Sequence, residues 1–157
     1  MKFVITAMAL ALSAASYPAK AHDEGMVSAS TLETPENTLE AYRSAIESLD
    51  GSNMQSFFTS DAQVFENGSS EGSFGNYMDH HLGPELKEFK SFTFSNVDTQ
   101  VLVAGNSAMS SETYSYTIIL KDGRTIERQG VATAVLVQQA NQWKIAQYHS
   151  SSSAPKK

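Results

Sequence analysis

No cysteine occurs anywhere in the chain, so stability has to come from the apolar core rather than from disulfides. Basic residues are also in the minority, with 11 lysines and arginines against 17 aspartates and glutamates, and they form no stripe. A surface with this charge balance repels nucleic acid. We therefore expect neither a disulfide framework nor a nucleic-acid partner.

Long apolar runs are equally scarce. The one that stands out spans residues 3–15 and is shorter than the roughly 20 residues that a membrane helix needs. The chain has no phosphate loop, dinucleotide fingerprint or serine-nucleophile motif. His80 and His81 are adjacent, whereas metal-binding pairs on a helix are three or four residues apart. We therefore predict no cofactor and no metal site.

The first 21 residues have the three parts of a secretion signal. Lys2 provides the positive charge, residues 3–15 the apolar region, and Ala19-Lys20-Ala21 the small-x-small cleavage site. An uncleaved anchor is the alternative, and the cleavage site favours the signal peptide. No cysteine follows the apolar run, which excludes a lipoprotein anchor. We predict a signal peptide at 1–21 and a periplasmic or secreted protein with no membrane attachment after cleavage.

The mature chain divides into a polar leader, one domain and a tail. Residues 22–33 are polar and aperiodic and are predicted to be a flexible leader, and residues 152–157 a polar tail. The domain, 34–151, begins with Thr34 as helix cap and Pro35 at the first helical position. Gly51 is predicted to end this helix. A second helix is expected at 52–58, and a third after Ser73 that Gly83-Pro84 breaks.

Strand patterns make up the rest of the domain. Residues 62–66 are predicted to form a short strand and residues 67–72 a loop. Four long strands follow at 92–104, with a bulge near Asn96, and at 112–120, 125–137 and 143–151. We predict an α+β fold in which three N-terminal helices pack on a curved, mainly antiparallel sheet.

One face of such a sheet is left without helices. We expect it to carry Ala132, Ala134, Ala146 and Tyr148 and to be only moderately polar. Apolar surface of this kind is typical of an interface. A second copy of the chain is therefore expected to cover it, giving a homodimer.

The last strand also supports a family resemblance. Trp143 is followed six residues later by His149, then by Ser150 and Pro155, and Thr133 lies on the preceding strand. This pattern resembles the association domain of calcium/calmodulin-dependent protein kinase II, a member of the nuclear transport factor 2-like superfamily, which also includes SnoaL-like proteins and ketosteroid isomerase. The resemblance implies a cone-like domain with a small-molecule pocket between sheet and helices.

Departures from the relatives limit what carries over. The association domain has a pocket arginine after its threonine, and this chain has Ala134 there. In ketosteroid isomerase a tyrosine, a carboxylic acid donor and an aspartate base act together. Glu66 stands near the position of that base, but no residue matches the acid donor. The resemblance therefore implies the fold and leaves the chemistry open.

His149 and Glu66 are the first candidates for the pocket. Strict alternation along the last strand places Trp143, Ile145, Gln147 and His149 on one face, and the apolar pair indicates that this face is covered. A histidine there can donate to a ligand or transfer protons; the alternative is a histidine that satisfies backbone groups. Glu66 shares a face with Ala62 and Val64, and the alternative is an exposed acid that opens the loop.

Four further groups complete the predicted ligand-binding set, which comprises His149, Glu66, His81, Tyr114, Gln147 and Arg128. His81 lies on an apolar helix face, where core packing is the alternative. Tyr114, together with Tyr42, Tyr77 and Tyr116, offers a hydroxyl, although most such tyrosines are core aromatics. Arg128 either binds an anionic ligand or pairs with an acid on a neighbouring strand.

Two functions from different classes fit these residues. The first is a small-molecule-binding domain that acts as a homodimer without turnover. The second is an acid–base enzyme, an isomerase, dehydratase or cyclase, with Glu66 as base and His149 as donor. A pure assembly module is a third reading. Signal cleavage would also make His22 the N-terminal residue, whose amine and ring nitrogens suit copper, although ordering the leader opposes binding.

Overall fold

The computed structural model describes residues 32–155. Helix α1, Pro35–Glu47, begins as predicted, because the Thr34 side chain accepts a 3.2 Å hydrogen bond from the Asn37 amide. The predicted end at Gly51 is wrong. Ser48 caps the helix and Leu49 takes the left-handed conformation, with φ 57°. A Cβ on Gly51 would lie 2.8 Å from the terminal methyl of Met78, so this glycine permits a close approach instead.

The other helical elements are short. A 3₁₀-helix spans Met54–Phe57, where the sequence predicts a longer helix. Helix α2, Phe74–Tyr77, is capped by Ser73 as expected and continues through a π-helical turn, Met78–Leu82, into α3, Gly83–Glu88. The predicted break at Gly83-Pro84 is therefore wrong. Proline lacks an amide proton, and Pro84 follows directly after the π-helical turn, at the start of α3.

In the described part of the chain, residues 32–155, six strands form one curved sheet of mixed direction. In chain order they are β1 Phe58–Glu66, β2 Ser69–Ser73, β3 Phe89–Ala104, β4 Ser107–Leu120, β5 Thr125–Gln139 and β6 Gln142–Ser153. Their spatial order is β2-β1-β6-β5-β4-β3, and only β1 and β6 run parallel. The predicted α+β class with a mainly antiparallel sheet is confirmed.

Strand β2 replaces the predicted loop. Asn67 and Gly68 both have positive φ, 48° and 87°, and join β1 to β2 as a two-residue turn. Positive φ at both central positions is the geometry of a type I′ hairpin, which an Asn-Gly pair favours. The loop prediction overlooked this signal because the strand that follows consists of Ser, Glu and Gly.

Two of the bulges in the long strands bear on the sequence predictions. The predicted one is present in β3, where Asn96 has φ 51° and the register shifts between Ser95 and Asp98. The second lies in β6 and was not expected. Leu136 pairs with Ile145 and Val135 with Gln147, so Ala146 is the extra residue. Every side chain after Ala146 therefore points to the opposite face from that given by strict alternation.

The core lies between one face of the sheet, here called the covered face, and the helices. Thr38 of α1 ties the layers together by donating a 3.1 Å hydrogen bond to the Trp143 carbonyl of β6. Ala132, Ala134 and Tyr148 are all buried on the covered face, so their predicted place on the uncovered face is wrong. Ala132 and Ala134 alternate with the buried Leu136 along β5. The bulge at Ala146 brings Tyr148 of β6 to the same face.

The face without helices, here called the open face, carries other apolar residues. Leu102 and Met109 are 65% and 57% exposed, and Val131 and Val135 are 51% and 36% exposed. These side chains come from the three neighbouring strands β3, β4 and β5. The expectation of apolar residues on the open face therefore holds for a different set of residues.

The described residues also bear on the domain limits. Leu32 is buried in the core, so the end of the predicted leader is packed, and β6 continues to Ser153, past the predicted start of the tail. The predicted signal peptide, residues 22–31 of the leader with His22, and Lys156-Lys157 lie outside the described residues. None of the helices between residues 32 and 155 is long and apolar enough to cross a membrane.

Candidate functional site

A cavity of about 90 Å³ lies between the covered face of the sheet and the helices. It is several times larger than the roughly 10–15 Å³ that one water molecule requires. Its walls are mainly aromatic, its rim carries carboxylates, and three successive serines of β6 form one side. The lining includes Tyr42, Tyr77, Tyr114, Tyr116 and Tyr148, Phe89, Phe92 and Phe94, Glu66 and Glu85, and Ser150, Ser151 and Ser152.

The tyrosines form a polar floor in an apolar wall. The rings of Tyr42 and Tyr148 meet edge-on with their centroids 5.3 Å apart, and Tyr114 lines the same cavity. Burial raises the pKa of Tyr42, Tyr114 and Tyr148 above the ordinary value for tyrosine. All three therefore present neutral hydroxyls, which can both donate and accept hydrogen bonds, across the physiological pH range.

Glu66 lies at the end of β1 and points into the cavity, as its alternation with Ala62 and Val64 predicts. The Tyr77 hydroxyl donates a 2.5 Å hydrogen bond to Glu66 Oε2. Burial also raises the pKa of Tyr77, and the neighbouring charge of Glu66 raises it further. The contact is therefore a neutral phenol donating to a carboxylate, which is a strong type of hydrogen bond.

His81 lies beside this pair, among three carboxylates. Its Nδ1 is 3.3 Å from Glu71, and its Nε2 is 3.5 Å from Glu85 and 3.9 Å from Glu66. Burial opposes the charged imidazolium, but the hydrogen bond to Glu71 and the three negative charges outweigh it and raise the pKa of His81. The ring of Tyr77 packs edge-on against the imidazole at 5.3 Å. His81 therefore links β1, β2 and α3 at the cavity rim.

The rim is acidic overall. Glu85 joins Glu66 in the lining, and burial raises the pKa of Glu85 although His81 opposes the shift. Glu85 was not among the predicted site residues. Its position four residues after His81 was the available signal, because such a pair faces the same side of a helix.

His149 and Gln147 do not reach this cavity. The Ala146 bulge turns both onto the open face, where they border a shallow hollow with Phe65 and Ser70. Their predicted place beside Trp143 and Ile145 on the covered face is therefore wrong. His149 pairs with Phe65 across the β1–β6 ladder, one step before the pair formed by Glu66 and Ser150.

Glu66 and His149 consequently lie on opposite faces of the sheet. The acid–base scheme that used them as base and donor requires both groups within reach of one substrate, roughly 3 Å from the reacting atoms. This pair does not meet that condition. The structure instead brings Glu66 together with Tyr77 and His81.

The remaining candidates lie on the covered face. Tyr114 is buried and lines the cavity. Arg128 pairs across the ladder with Tyr116, whose side chain lines the cavity, and Arg128 is half-buried beyond the lining. Within residues 32–155, no three His, Asp or Glu side chains are arranged to hold a metal ion. The ligand-binding roles of the six predicted residues stay predictions.

An aromatic cavity between the helices and a curved sheet defines an α+β domain that carries a pocket. Residues 36–155 match the family model of the SnoaL-like domain, and the chain belongs to that family. The predicted membership of the nuclear transport factor 2-like superfamily is confirmed by this match and by the solved structures. No curated protein matches the sequence.

Solved structures share the fold at low identity. A nuclear transport factor 2-like superfamily protein from Salmonella enterica is 20% identical, covers 82% of this chain and 94% of its own, and has a TM-score of 0.66. A ketosteroid isomerase-like protein from Erwinia carotovora is 16% identical, with 79% and 97% covered and a TM-score of 0.66. A candidate calcium/calmodulin dependent protein kinase II association domain from Xanthomonas campestris is 16% identical, with 73% and 82% covered and a TM-score of 0.60.

Proposed function

We propose that this protein binds a small molecule in the cavity between its sheet and helices, and that it does so as an exported homodimer. The observation that carries the proposal is the cavity itself. Five tyrosines and three phenylalanines surround it, and two carboxylates stand at its rim. Apolar walls with a few convergent polar groups are typical of ligand sites.

The polar groups of the cavity are already held in position. Tyr77 fixes Glu66 by a direct hydrogen bond, and the Tyr116 hydroxyl donates a 2.9 Å hydrogen bond to Ser152. Because these side chains do not have to be ordered when a ligand enters, binding costs less conformational entropy. The low volume, compared with the roughly 300 Å³ of larger ligand pockets, favours a small ligand.

The open face supports the homodimer. Leu102, Met109 and Val131 are each more than half exposed and belong to adjacent strands. Leu102 and Met109, together with Val135, border a broad hollow of about 500 Å³ in that face. A second copy placed on this face would bury these side chains against the same surface of its partner, in a two-fold interface.

Export rests on the sequence of residues 1–21. The charged start, the apolar run and the Ala19-Lys20-Ala21 site fit a secretion signal. Mass measurement of protein recovered from the periplasm of an expressing bacterium tests this point. A mature N-terminus at His22 is expected, and full-length protein retained in the cytoplasm would contradict export.

Two β6 variants test the binding function. Ser150→Phe places a ring in the cavity, whereas His149→Phe adds a ring at the neighbouring position on the open face. We expect native mass spectrometry or a thermal-shift screen of small metabolites to find a ligand for the wild type and for His149→Phe, but not for Ser150→Phe. The absence of any ligand for wild-type protein, or equal binding by Ser150→Phe, would refute the proposed site.

A further inference from the structure

The geometry points to an organic ammonium cation as the ligand of the cavity between the sheet and the helices. This inference rests on the proposed binding function and adds the chemical class of the ligand. It follows from the charge of the rim and the aromatic rings of the wall.

The charge of the rim is negative. Glu66 and Glu85 line the cavity, and the Glu71 carboxylate lies 3.3 Å from Nδ1 of His81. No lysine or arginine of the described chain is part of the lining. Arg43, the one basic residue of α1, forms an ion pair with Glu112. A carboxylate ligand would therefore lose its hydration next to two negative charges, whereas a cation would be attracted by both.

His81 is the one titratable cation in contact with these acids among residues 32–155. A protonated imidazole offsets one of the three surrounding negative charges and leaves the rim negative. Burial and the charges of Glu66 and Glu71 raise the pKa of Glu85 although His81 opposes the rise, so a second positive partner would stabilise the charged form of this acid. An ammonium group would provide that partner.

The wall places aromatic rings around the same volume. Phe92 and Tyr116 are stacked with their centroids 5.1 Å apart, and Phe94 meets Tyr114 edge-on at 5.2 Å. Aromatic faces carry negative charge density and attract a cation within about 6 Å of the centroid, more strongly when water is excluded. A neutral apolar ligand would gain from the same rings by burial alone, so the carboxylates are what separates the two classes.

Arg128 is the group that opposes this conclusion. It lies on the covered face opposite Tyr116, and its positive charge lowers the pKa of that tyrosine while burial raises it. Glu66 and Glu85 also raise the pKa of Tyr116, so the negative rim acts on the same residue. Two carboxylates within the lining against one arginine outside it leave a net preference for a cation.

A panel of matched small molecules tests the class. Butylammonium is compared with butanol, and choline with its neutral carbon isostere, in which a tert-butyl group replaces the trimethylammonium group; butyrate is the anionic probe. We expect at least one cation to bind about tenfold more tightly than its neutral partner, with no binding of butyrate. Nuclear magnetic resonance titration of the mature domain reads out weak affinities, with the His81 ring signals reporting on the rim.

Variants connect the preference to the site. Glu66→Gln and Glu85→Gln are each expected to lower cation affinity about tenfold and to leave the neutral probes unchanged. Glu127→Gln removes an equal charge at an exposed position of β5 and is the matched control. Two acids are tested separately because Glu66 also holds Tyr77, and folding of each variant is checked by circular dichroism.

The outcomes separate this inference from the proposed function. Equal affinity for cation and neutral isostere, both abolished by Ser150→Phe, would overturn the ammonium class and leave small-molecule binding intact. Absence of cation binding, alongside a different ligand found by the metabolite screen, would do the same. Loss of affinity in Glu127→Gln equal to that in both rim variants would also overturn the inference, because it would indicate net charge rather than the cavity.

Discussion

The Tyr77 hydroxyl and the Glu66 carboxylate are joined by a 2.5 Å hydrogen bond across the cavity rim. The two residues come from different layers, α2 and the end of β1, so this contact fixes the helical segment against the sheet where the cavity opens. Tyr77 also meets the imidazole of His81, which extends the contact to α3 through Glu85. The rim is thus a connected polar network placed over an aromatic floor.

Replacing Tyr77 by phenylalanine removes the donor to Glu66 while keeping the ring. We expect a loss of about 1.5 kcal/mol in the free energy of unfolding, because hydrogen bonds to charged groups contribute more than neutral ones. Tyr116→Phe is the matched control, since it removes a bond to the neutral Ser152 and is expected to cost about 0.5–1 kcal/mol. Urea unfolding at pH 7 measures both, and an equal or reversed order would contradict the charge-assisted character of the Tyr77 bond.

His81→Gln is expected to change how stability depends on pH. Because the folded-state pKa of His81 is raised above its ordinary value of 6.5, its contribution is fully present below pH 6.5 and is lost as the pH rises through the higher folded-state value. The variant lacks this group, so its free energy of unfolding should fall less than that of the wild type as the pH rises above 6.5.

His80→Gln is the control, because His80 is exposed and forms none of the three carboxylate contacts of its neighbour. Unfolding midpoints across this pH range, together with the titration of the His81 ring signal by nuclear magnetic resonance, provide the measurement. A ring that titrates at or below pH 6.5 would refute the prediction.

The Arg43–Glu112 ion pair links α1 to β4 beneath the cavity, and Thr99 donates a 2.9 Å hydrogen bond to the same carboxylate oxygen. Arg43→Met leaves the buried Glu112 without its cation and is expected to cost about 3–5 kcal/mol, whereas the double variant with Glu112→Met should be considerably more stable than the single one. Burial already raises the pKa of Glu112 while Arg43 opposes that rise.

The pH dependence of the Arg43→Met variant provides an independent check. Without Arg43, the folded-state pKa of Glu112 rises further, so the folded protein favours the protonated acid and the deficit should shrink as the pH falls below neutral. Denaturant unfolding of the single and double variants at several pH values measures this. A double variant no more stable than Arg43→Met would show that the ion pair is worth more than its replacement by apolar packing.

Charges on the open face are expected to separate the proposed dimer. The double variant Leu102→Glu and Met109→Glu places carboxylates among side chains that a second copy would bury, and unpaired buried charges are costly. Sedimentation should give twice the chain mass for the wild type and the single mass for this variant. Ser44→Glu, on the exposed side of α1, is expected to remain a dimer; a wild-type protein that is monomeric at all concentrations would refute the proposal.

Local chemistry explains which features could be predicted from the sequence. Thr34 and Ser73 cap helices through their own side chains, and Asn96 tolerates the positive φ of a bulge. Each of these features can therefore be predicted from the residue type at its own position. The inward direction of Glu66 followed from simple alternation, because β1 pairs with β6 without a register shift from Gln63 to Glu66.

The failures have a different origin. The π-helical turn depends on close packing between Met78 and Gly83, because a Cβ on the glycine would lie 2.2 Å from the Met78 carbonyl oxygen. No local sequence motif predicts this turn. The bulge at Ala146 depends on how β5 and β6 pair, because alanine has no preference for a bulge. The bulge determines which face Gln147, Tyr148 and His149 occupy. Because it was not predicted, all three side chains were assigned to the wrong face.

That single alanine also makes the strand tolerant of a change in length. Deleting Ala146 would join Ile145 directly to Gln147, and the ladder with β5 would then run on in the same register. Tyr148 would stay under the helices, and Gln147 and His149 would stay on the open face. The loss of one codon at this point is thus absorbed where it occurs, and the wall that β6 gives to the cavity is preserved.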